Sequence, residues 1–548
     1  MFDTKSKTLN MLVIFSIPFF IFGIWSIFLG KDMNWDLRNY HFYNGYSFLE
    51  NRLEYDYFPA QIQTFLNPVM DVPLYLMIRF LPDKLTGFMI GGFQGTNMSV
   101  LILISYQIID NSSFKHKSLQ SKLLLLFIVL TGIFSPIFLS QIGTTFGDNI
   151  TSFFVLFGVL IIIRDRNNKL CLLMSSIFFG LAAGLKLTNL IYCIATVITV
   201  FVIEPKSIKG KLASSLESSI GIILGILLTG GYWMLLMLVK YGNPIFPFYN
   251  NFFKSSYWST NSWEDKRWLP ESFLEGVSYI FRWTSKSTSI VTAELPFRDT
   301  RWLIILFVLL TLVICKLIVF LIRDFNYLNF KKDIKNSFKT LNHNELYIIM
   351  FSLVSFVIWI YKFSIHRYII PLELISGLLI FILIDIIKIN LNIKVFLFLT
   401  LSILIILTTI PPNWGRTSWN QFWFEINIPH EIIKSPDDTT IVIVSRSPVS
   451  YIIPFFPEQI RFVRLESNMN INNSLSVSPP EPENKLLLNA EHFVSNHKGN
   501  IFVLSSGSYP INDYDSYLKS KYNLNIDYYR CDWIVTNIEK LSICPANK

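Results

Sequence analysis

Long apolar runs separated by short polar segments dominate the first 410 residues of the chain. The runs lie near 11–29, 86–109, 123–138, 149–163, 170–185, 187–203, 218–239, 302–322, 346–361, 367–387 and 395–410. A helix of about 20 apolar residues crosses a bilayer core of about 30 Å. Because the runs do not alternate between apolar and polar residues, they predict helices and not barrel strands. The sequence therefore predicts an all-α polytopic membrane protein with about eleven transmembrane helices.

The apolar segment 68–81 is the exception, since it is short, contains Asp71 and Pro73, and is followed by Pro82. We interpret it as interfacial or re-entrant. With this interpretation, the basic residues of the short loops all fall on one side of the membrane. This side is predicted to be the cytoplasm, because Lys and Arg in short loops favour the cytoplasmic side. These loops lie at 115–117, 164–169, 206–211, 323–339 and 388–394.

The same rule places the N-terminus in the cytoplasm and the first loop, 31–85, outside. The first apolar run is longer than the core of a usual signal peptide and lacks a small-residue cleavage motif, which favours a retained span. The predicted location is thus the bacterial cytoplasmic membrane, with the loop 31–85 and the C-terminal segment on the periplasmic side.

The chain changes character after residue 410, where it becomes polar and rich in loops. The segments TTIVIVS at 439–445 and NIFVLSS at 500–506 are rich in β-branched residues and alternate, which predicts strands. We therefore predict a transmembrane domain at 1–410 and a small external α/β domain at 411–548. Cys531 and Cys544 lie in this segment, and an oxidising compartment favours a disulfide between them. Two free thiols would require the opposite topology.

Composition agrees with a membrane protein, since 52% of the residues are hydrophobic and only 16% are charged, with a mean hydropathy of +0.44. The net charge of +9 raises the question of nucleic-acid binding. However, the positive residues are spread over short loops between apolar runs, where the preference of Lys and Arg for the cytoplasmic side accounts for them. No nucleic-acid partner is therefore predicted. The sequence has no zinc-like cluster, P-loop or Rossmann motif. We predict no cofactor, and a divalent metal stays open.

The first external loop concentrates acids, amides and aromatic residues directly after the first apolar run. Asp36, Asn39, Tyr40 and Tyr43 have helical spacing and would share one face of a short helix along the membrane surface, with His41 on the other face. An Asp before an aromatic-rich run is also an ordinary start signal for a helix. Asp36 is therefore either a functional carboxylate or an N-cap.

This loop resembles the first external loop of the GT-C membrane glycosyltransferases, which use polyprenyl-phosphate sugars as donors. The similarity covers DLRNYHFYNGYSFLENRLEYDYFPAQIQTFLNPVMDVPLY at 36–75 and extends to four later motifs: GTTFGDN at 143–149, GLKLTN at 184–189, GNPIFPFYN at 242–250 and HRYIIPLE at 366–373. The loop is most similar to the bacterial branch that includes polyprenol-phosphate-mannose mannosyltransferases. The resemblance implies a GT-C fold and transfer of a hexose, such as mannose, to an extracytoplasmic glycan or lipid acceptor.

The resemblance also directs attention to charged residues at the external ends of spans. An acid in the GTTFGDN loop of such enzymes helps to position donor, metal or acceptor, so Asp148 is a candidate, with an N-cap as the alternative. Lys186 and Arg367 are candidates for binding the donor phosphate, and His366 is a weaker helper. The alternatives are a snorkelling lysine and an arginine anchored in lipid headgroups.

Asp36 is the predicted general base of an inverting transfer. The leaving polyprenyl phosphate is already a stable anion, so it is the acceptor hydroxyl that needs activation, by a nearby carboxylate. A retaining mechanism would need a second carboxylate at the same carbon, and of the other acids only Asp32 has helical spacing to Asp36. Asn39, Tyr40, His41 and Tyr43 are candidate substrate-binding residues.

A lipid-linked glycan flippase or transporter is the alternative function. Such a protein would place charged residues deep within several spans or show related halves. The unusual polarity of this chain lies instead in the external loops, which favours the glycosyltransferase.

Overall fold

A computed structural model of the chain describes residues 4–114, 118–165, 168–205, 207–260, 264–285, 290–322, 339–468 and 484–548, with side chains for all of these except 4–9 and 315–322. Part of the basic loops used for the topology, including 115–117, 206 and 323–338, lies outside the described residues.

Helices account for most of the first 410 residues that the structure describes. The long and medium α-helices are Thr4–Leu29, Asp83–Asp110, Leu119–Ile133, Asp148–Arg164, Lys169–Leu185, Leu190–Ile203, Ile208–Tyr241, Arg301–Ile322, His343–Lys362, Ile370–Asp385 and Leu391–Thr408. Shorter α-helices are Phe42–Leu49, Asp71–Phe80, Pro136–Ser140, Asn250–Phe253 and Phe273–Arg282. The apolar runs of the sequence are therefore confirmed as helices.

Six helices of the described chain are long and apolar enough to cross a membrane. They are Asn10–Leu29, Asp83–Asp110, Ile208–Tyr241, His343–Lys362, His366–Asp385 and Leu391–Thr408. Shorter apolar helices, among them Leu119–Ile133 and Lys169–Leu185, add to these. A multi-pass membrane protein is thus supported, while the count of eleven spans stays a prediction. The helix Asp71–Phe80 has ten residues, about 15 Å, and is too short to cross the bilayer core.

The chain divides into two compact units, each made of separate segments. The helical unit comprises Met1–Phe28, Phe88–Thr229 and Asp265–Trp414, and the sheet unit comprises Leu29–Gly87, Gly230–Glu264 and Gly415–Lys548. The division predicted at residue 410 follows the chain order, whereas these units combine distant segments. The assignment of 1–410 to a membrane domain and 411–548 to an external one stays a prediction.

The centre of the helical unit is the helix Ile370–Asp385, all of whose residues are buried. Gly377 permits a neighbouring helix to approach closely, because a Cβ on it would lie 2.6 Å from the carbonyl oxygen of Ile128. Such contacts between small residues and backbone are typical of packed membrane helices. The outer helices instead expose apolar side chains such as Phe93 and Leu407, as helices that face lipid do.

The sheet unit contains all the described strands. In chain order they are β1 (Lys31–Asp32), β2 (Arg416–Thr417), β3 (Ile426–Asn427), β4 (Thr439–Ile443), β5 (Arg461–Arg464), β6 (Asn500–Ser506), β7 (Asn525–Ile526), β8 (Asp532–Thr536) and β9 (Lys540–Asn547). β1 pairs with β2, and the other seven form one sheet with the order β3-β8-β9-β6-β4-β5 and β7 on β9.

The two strands predicted from the sequence are β4 and β6, which are parallel neighbours with Val442 opposite Val503. The small C-terminal sheet domain is therefore confirmed. β9 runs antiparallel to β6 and β8, and Cys544 of β9 is joined to Cys531 by a disulfide.

The first loop of the sequence is built onto this C-terminal sheet. Tyr57 forms a parallel bridge to Val463 of β5, and its backbone N–H donates to the carbonyl of Phe462 at 2.8 Å. The guanidinium of Arg52 binds Asp56 at 2.7 and 2.9 Å and donates to the carbonyl of Ile460 at 2.7 Å. The segment that follows Asp36 is thus held by residues about 400 positions away.

Candidate active site

Asp36 immediately precedes a π-helix, Leu37–His41, which continues directly into the α-helix Phe42–Leu49. The side chain of Asp36 makes no capping hydrogen bond to this helix. Instead, Oδ1 of Asn34 accepts the backbone N–H of Leu37 at 2.8 Å. π-turns are rare and occur frequently at functional sites. The side chain of Asp36 is half-buried and makes no capping hydrogen bond to the helix, and its role as a functional carboxylate stays a prediction.

The helix that follows Asp36 is anchored by its own polar side chains. Asn39 is buried and donates to the carbonyl of Ala60 at 3.1 Å, and Gln61 donates to Oδ1 of Asn39 at 3.2 Å. The hydroxyl of Tyr43 donates to Asp56 at 2.9 Å. Burial, with the charge of Asp56, raises the pKa of Tyr43 well above its usual value. Tyr43 is thus a neutral hydrogen-bond donor in the core of the loop.

His41 forms a buried pair with Asp71, with Nδ1 and Oδ1 separated by 2.6 Å. The ring of Tyr40 lies against the imidazole, with 4.1 Å between centroids. Asn39, Tyr40, His41 and Tyr43 are therefore all buried in the sheet unit, and their role in substrate binding stays a prediction.

Asp148, Lys186 and Arg367 come together in the helical unit. Nζ of Lys186 lies 2.5 Å from Oδ1 of Asp148 and donates to the carbonyl of Phe146 at 3.0 Å. Nη1 of Arg367 lies 3.4 Å from Oδ2 of Asp148, so each carboxylate oxygen binds one cation. Gly147, with φ of +78°, is the N-cap of the helix Asp148–Arg164. Asp148 is therefore the first helical residue and not the cap.

Aromatic rings and further charges surround this cluster, which we call the cation cluster (Asp148, Lys186, Arg367). The guanidinium of Arg367 lies 4.5 Å from the ring centroid of Phe146 and 5.8 Å from that of Trp414. Glu294 lies 3.8 Å from Arg367 and 3.3 Å from Arg267. The side chains of Lys186 and Arg367 are only 17% and 10% exposed. Lys186 is thus held by a carboxylate inside the protein, in contrast to a snorkelling lysine.

His366 lies next to Arg367 in the chain but belongs to a different cluster. Its Nε2 is 3.1 Å from Oε1 of Glu373, and its Nδ1 is 3.5 Å from the hydroxyl of Thr292. The rings of Trp283 and Phe297 pack against the imidazole, each at 4.6 Å. Both ring nitrogens therefore face residues outside the cation cluster, and a phosphate contact by His366 stays a prediction.

Asp299 and Arg301 form a fully buried ion pair, with Nε of Arg301 at 2.7 Å from Oδ1 of Asp299. The guanidinium also donates to the carbonyls of Thr131 and Glu373, each at 3.2 Å, and to that of Phe134 at 3.0 Å. From the sequence, both residues are weaker candidates for a phosphate contact or an ion pair just before an apolar run, and the structure shows the ion pair. The only feature of the sequence that could have indicated these contacts is the position of an acid and a base directly before a span.

The geometry above can be compared with known structures. The chain is similar in structure to ArnT from Cupriavidus metallidurans, solved as a crystal structure bound to undecaprenyl phosphate, with a TM-score of 0.51, 10% sequence identity, and coverage of 99% of this chain and 98% of that one. The chain has a GT-C fold. At this identity the likeness concerns the fold, so the GT-C fold expected from the loop motifs is confirmed. No family model and no curated protein matches the sequence.

Proposed function

We propose that the chain is an integral-membrane glycosyltransferase that transfers a hexose, such as mannose, from a polyprenyl-phosphate-linked donor to an extracytoplasmic glycan or lipid acceptor. The observation that carries this proposal is the cation cluster within a GT-C fold. Lys186 and Arg367 present two cationic groups beside Asp148, with Glu294 3.8 Å from Arg367, and charged donors of this kind bind phosphate oxygens. The solved structure with this fold is bound to undecaprenyl phosphate.

In this proposal, Arg367 and Lys186 bind the donor phosphate. Arg367 presents a planar fork of donors, and its position over the ring of Phe146 limits its rotation. Asp148 holds the two cations at a fixed spacing through its two oxygens. As the bond to the sugar breaks, negative charge grows on the phosphate, and positioned cations stabilise that charge most where water is excluded.

Asp36 is the proposed general base. The polyprenyl phosphate leaves as a stable anion, so the acceptor hydroxyl is the group whose proton must be removed as the new bond forms. A single carboxylate is sufficient for an inverting displacement. The half-buried position of Asp36, without a capping hydrogen bond, agrees with this role.

The kinetic test uses substitutions of the cation cluster and of the proposed general base, Asp36. Lys186→Ala and Arg367→Ala should each lower kcat/KM with a labelled polyprenyl-phosphate sugar by about 10²–10³-fold, which is typical of a lost electrostatic contact. Asp36→Asn should lower kcat by about 10²–10⁴-fold, as expected for a general base. Lys169→Ala is the matched control, because this lysine is 84% exposed and lies outside the cluster. Unchanged rates in the cluster variants would contradict phosphate binding by Lys186 and Arg367. An active Asp36→Asn variant would contradict the role of Asp36 as general base.

We further propose about eleven spans with a cytoplasmic N-terminus and a periplasmic C-terminal domain. The positive residues of the short loops support this orientation. Reporter fusions after Thr340 and after Asn413 should report opposite sides of the membrane, because three predicted spans, 346–361, 367–387 and 395–410, lie between the two positions. The same location for both fusions would contradict the orientation.

A further inference from the structure

Three buried side chains of the helical unit converge at the start of its central helix. Asp299 lies two residues before the helix Arg301–Ile322, His366 lies in the 3₁₀ turn His366–Ile369, and Glu373 lies in the first turn of Ile370–Asp385. One donor atom from each residue lies within 4.8 Å of those of the other two. All three side chains are completely buried.

Each carboxylate in this group has one occupied and one open oxygen. Oδ1 of Asp299 accepts from Nε of Arg301 at 2.7 Å and from its backbone N–H at 3.1 Å. Oε1 of Glu373 faces Nε2 of His366 at 3.1 Å. In contrast, Oδ2 of Asp299 and Oε2 of Glu373 are buried and have no hydrogen-bond partner among the described residues. A buried carboxylate oxygen without a partner is costly, so these two oxygens need a ligand.

The charges of these side chains also indicate that a cation is needed. Two carboxylates face one guanidinium, that of Arg301, which leaves an excess of one negative charge when His366 is neutral. A proton on His366 balances that charge but brings a hydrogen only to Oε1 of Glu373. A cation between the three side chains can accept one donor atom from each residue, because these atoms lie within 4.8 Å of one another. We propose that Asp299, His366 and Glu373 bind a divalent transition-metal ion, of which zinc and manganese are the representatives.

The donor set and its spacing support this class of metal. Imidazole with carboxylates suits zinc and similar ions, whereas calcium and magnesium prefer oxygen ligands alone. Ligands about 2.0–2.1 Å from a tetrahedral zinc lie about 3.4 Å apart, and the three donor atoms here lie within 4.8 Å of one another.

Outer contacts of the kind that orient metal ligands are also present. Arg301 fixes one oxygen of Asp299 and so directs the other. Nδ1 of His366 faces the hydroxyl of Thr292, which accepts from Nε1 of Trp283 at 2.9 Å. The ion would connect the turn His366–Ile369, which carries Arg367, to the central helix. Its role is therefore to position that turn, and the binding proposal does not rest on the proposed glycosyl transfer.

The experiment measures metal content in the purified full-length chain. The protein is prepared in detergent with a tag that contains no histidine, incubated with zinc or manganese, passed through a metal-free column and analysed by mass spectrometry of the elements. We expect about one ion per chain for the preferred metal. Replacement by cobalt should give visible absorption bands that report the coordination of His366.

Conservative variants identify the ligands. His366→Gln and Glu373→Gln should each lower the retained metal to less than a tenth of the wild-type amount and remove the cobalt bands. His343→Gln, an exposed histidine of the same unit, is the matched control and should retain the full amount. Metal-free wild-type protein after incubation would overturn the proposal. Full metal content in both ligand variants would also overturn it. Neither outcome depends on turnover, so the glycosyltransferase proposal is judged separately.

Discussion

The substitution Arg52→Ala tests whether the C-terminal sheet holds the loop that follows Asp36. The side chains of Arg52 and Asp56 are only 4% and 0% exposed, and two hydrogen bonds of 2.7 and 2.9 Å join them. Arg52 also donates to the carbonyls of Glu458 and Ile460. The substitution leaves the carboxylate of Asp56 buried without its counter-ion. Removal of one partner of a buried pair costs roughly 3–5 kcal/mol.

This cost is local and predicts a specific change in hydrogen exchange. The backbone amides of Tyr57, Phe462 and Arg464 form the hydrogen bonds that connect the loop to β5. Since every 1.4 kcal/mol corresponds to a factor of ten, exchange at these amides should become about 10²- to 4 × 10³-fold faster. Mass spectrometry of the purified chain in detergent measures this directly.

The matched control for Arg52→Ala is Arg530→Ala, because Arg530 is an exposed arginine of the same unit. Its loss should leave exchange at β5 unchanged, since its side chain is not buried. If Arg52→Ala and Arg530→Ala give the same exchange over 57–62 and 461–464, the buried pair does not hold the loop on the sheet and our reasoning is wrong.

Two further predictions concern the same unit. Gly45→Ala should lower the thermal stability of the chain, because a Cβ there would lie 2.5 Å from the carbonyl oxygen of Asp71; Gly507→Ala, where the space is open, should not, and equal melting temperatures would contradict the contact. Cys531→Ser should destabilise β8 and β9 by about 3 kcal/mol through loss of the link to Cys544, seen as faster exchange in these strands; free alkylation of both cysteines in intact cells would argue against the bond.

The helices of this fold were predictable because their signal is local. An apolar run of membrane length must satisfy its backbone hydrogen bonds internally, and a helix is the only way for a single segment to do so. The first and last residues of the helices were less well predicted. The helix His343–Lys362 begins with a capping box between Asn342 and Glu345, which lies before the apolar run that the sequence analysis started at 346.

The site was harder to predict because turn geometry decides which way neighbours face. His366 and Arg367 were both predicted to contact the donor phosphate, but a 3₁₀ turn has three residues per turn and directs consecutive side chains about 120° apart. One therefore reaches Glu373 and the other Asp148. Likewise, the shared face expected after Asp36 assumed a period of 3.6 residues, which the π-helix does not have.

Long-range partners could not be predicted from a single sequence. Arg52 and Asp56 are four residues apart and read as an ordinary helical pair. Their other partners, Glu458 and Phe462, are each 406 residues away. No local pattern indicates that an early loop shares a hydrogen-bond network with a late strand, so the sequence analysis separated them at residue 410.

This distance along the chain has a consequence for synthesis. Ribosomes add about 5–20 residues per second, so roughly 20–80 s pass between the emergence of Arg52 and that of Glu458. During this interval the segment after Asp36 exists without the strands that support it. A chain that ends before Ile460 has already made Asp36 but lacks the partners of Arg52. We therefore expect a product truncated before Ile460 to lack an ordered first loop, because the last quarter of the chain supplies these hydrogen bonds.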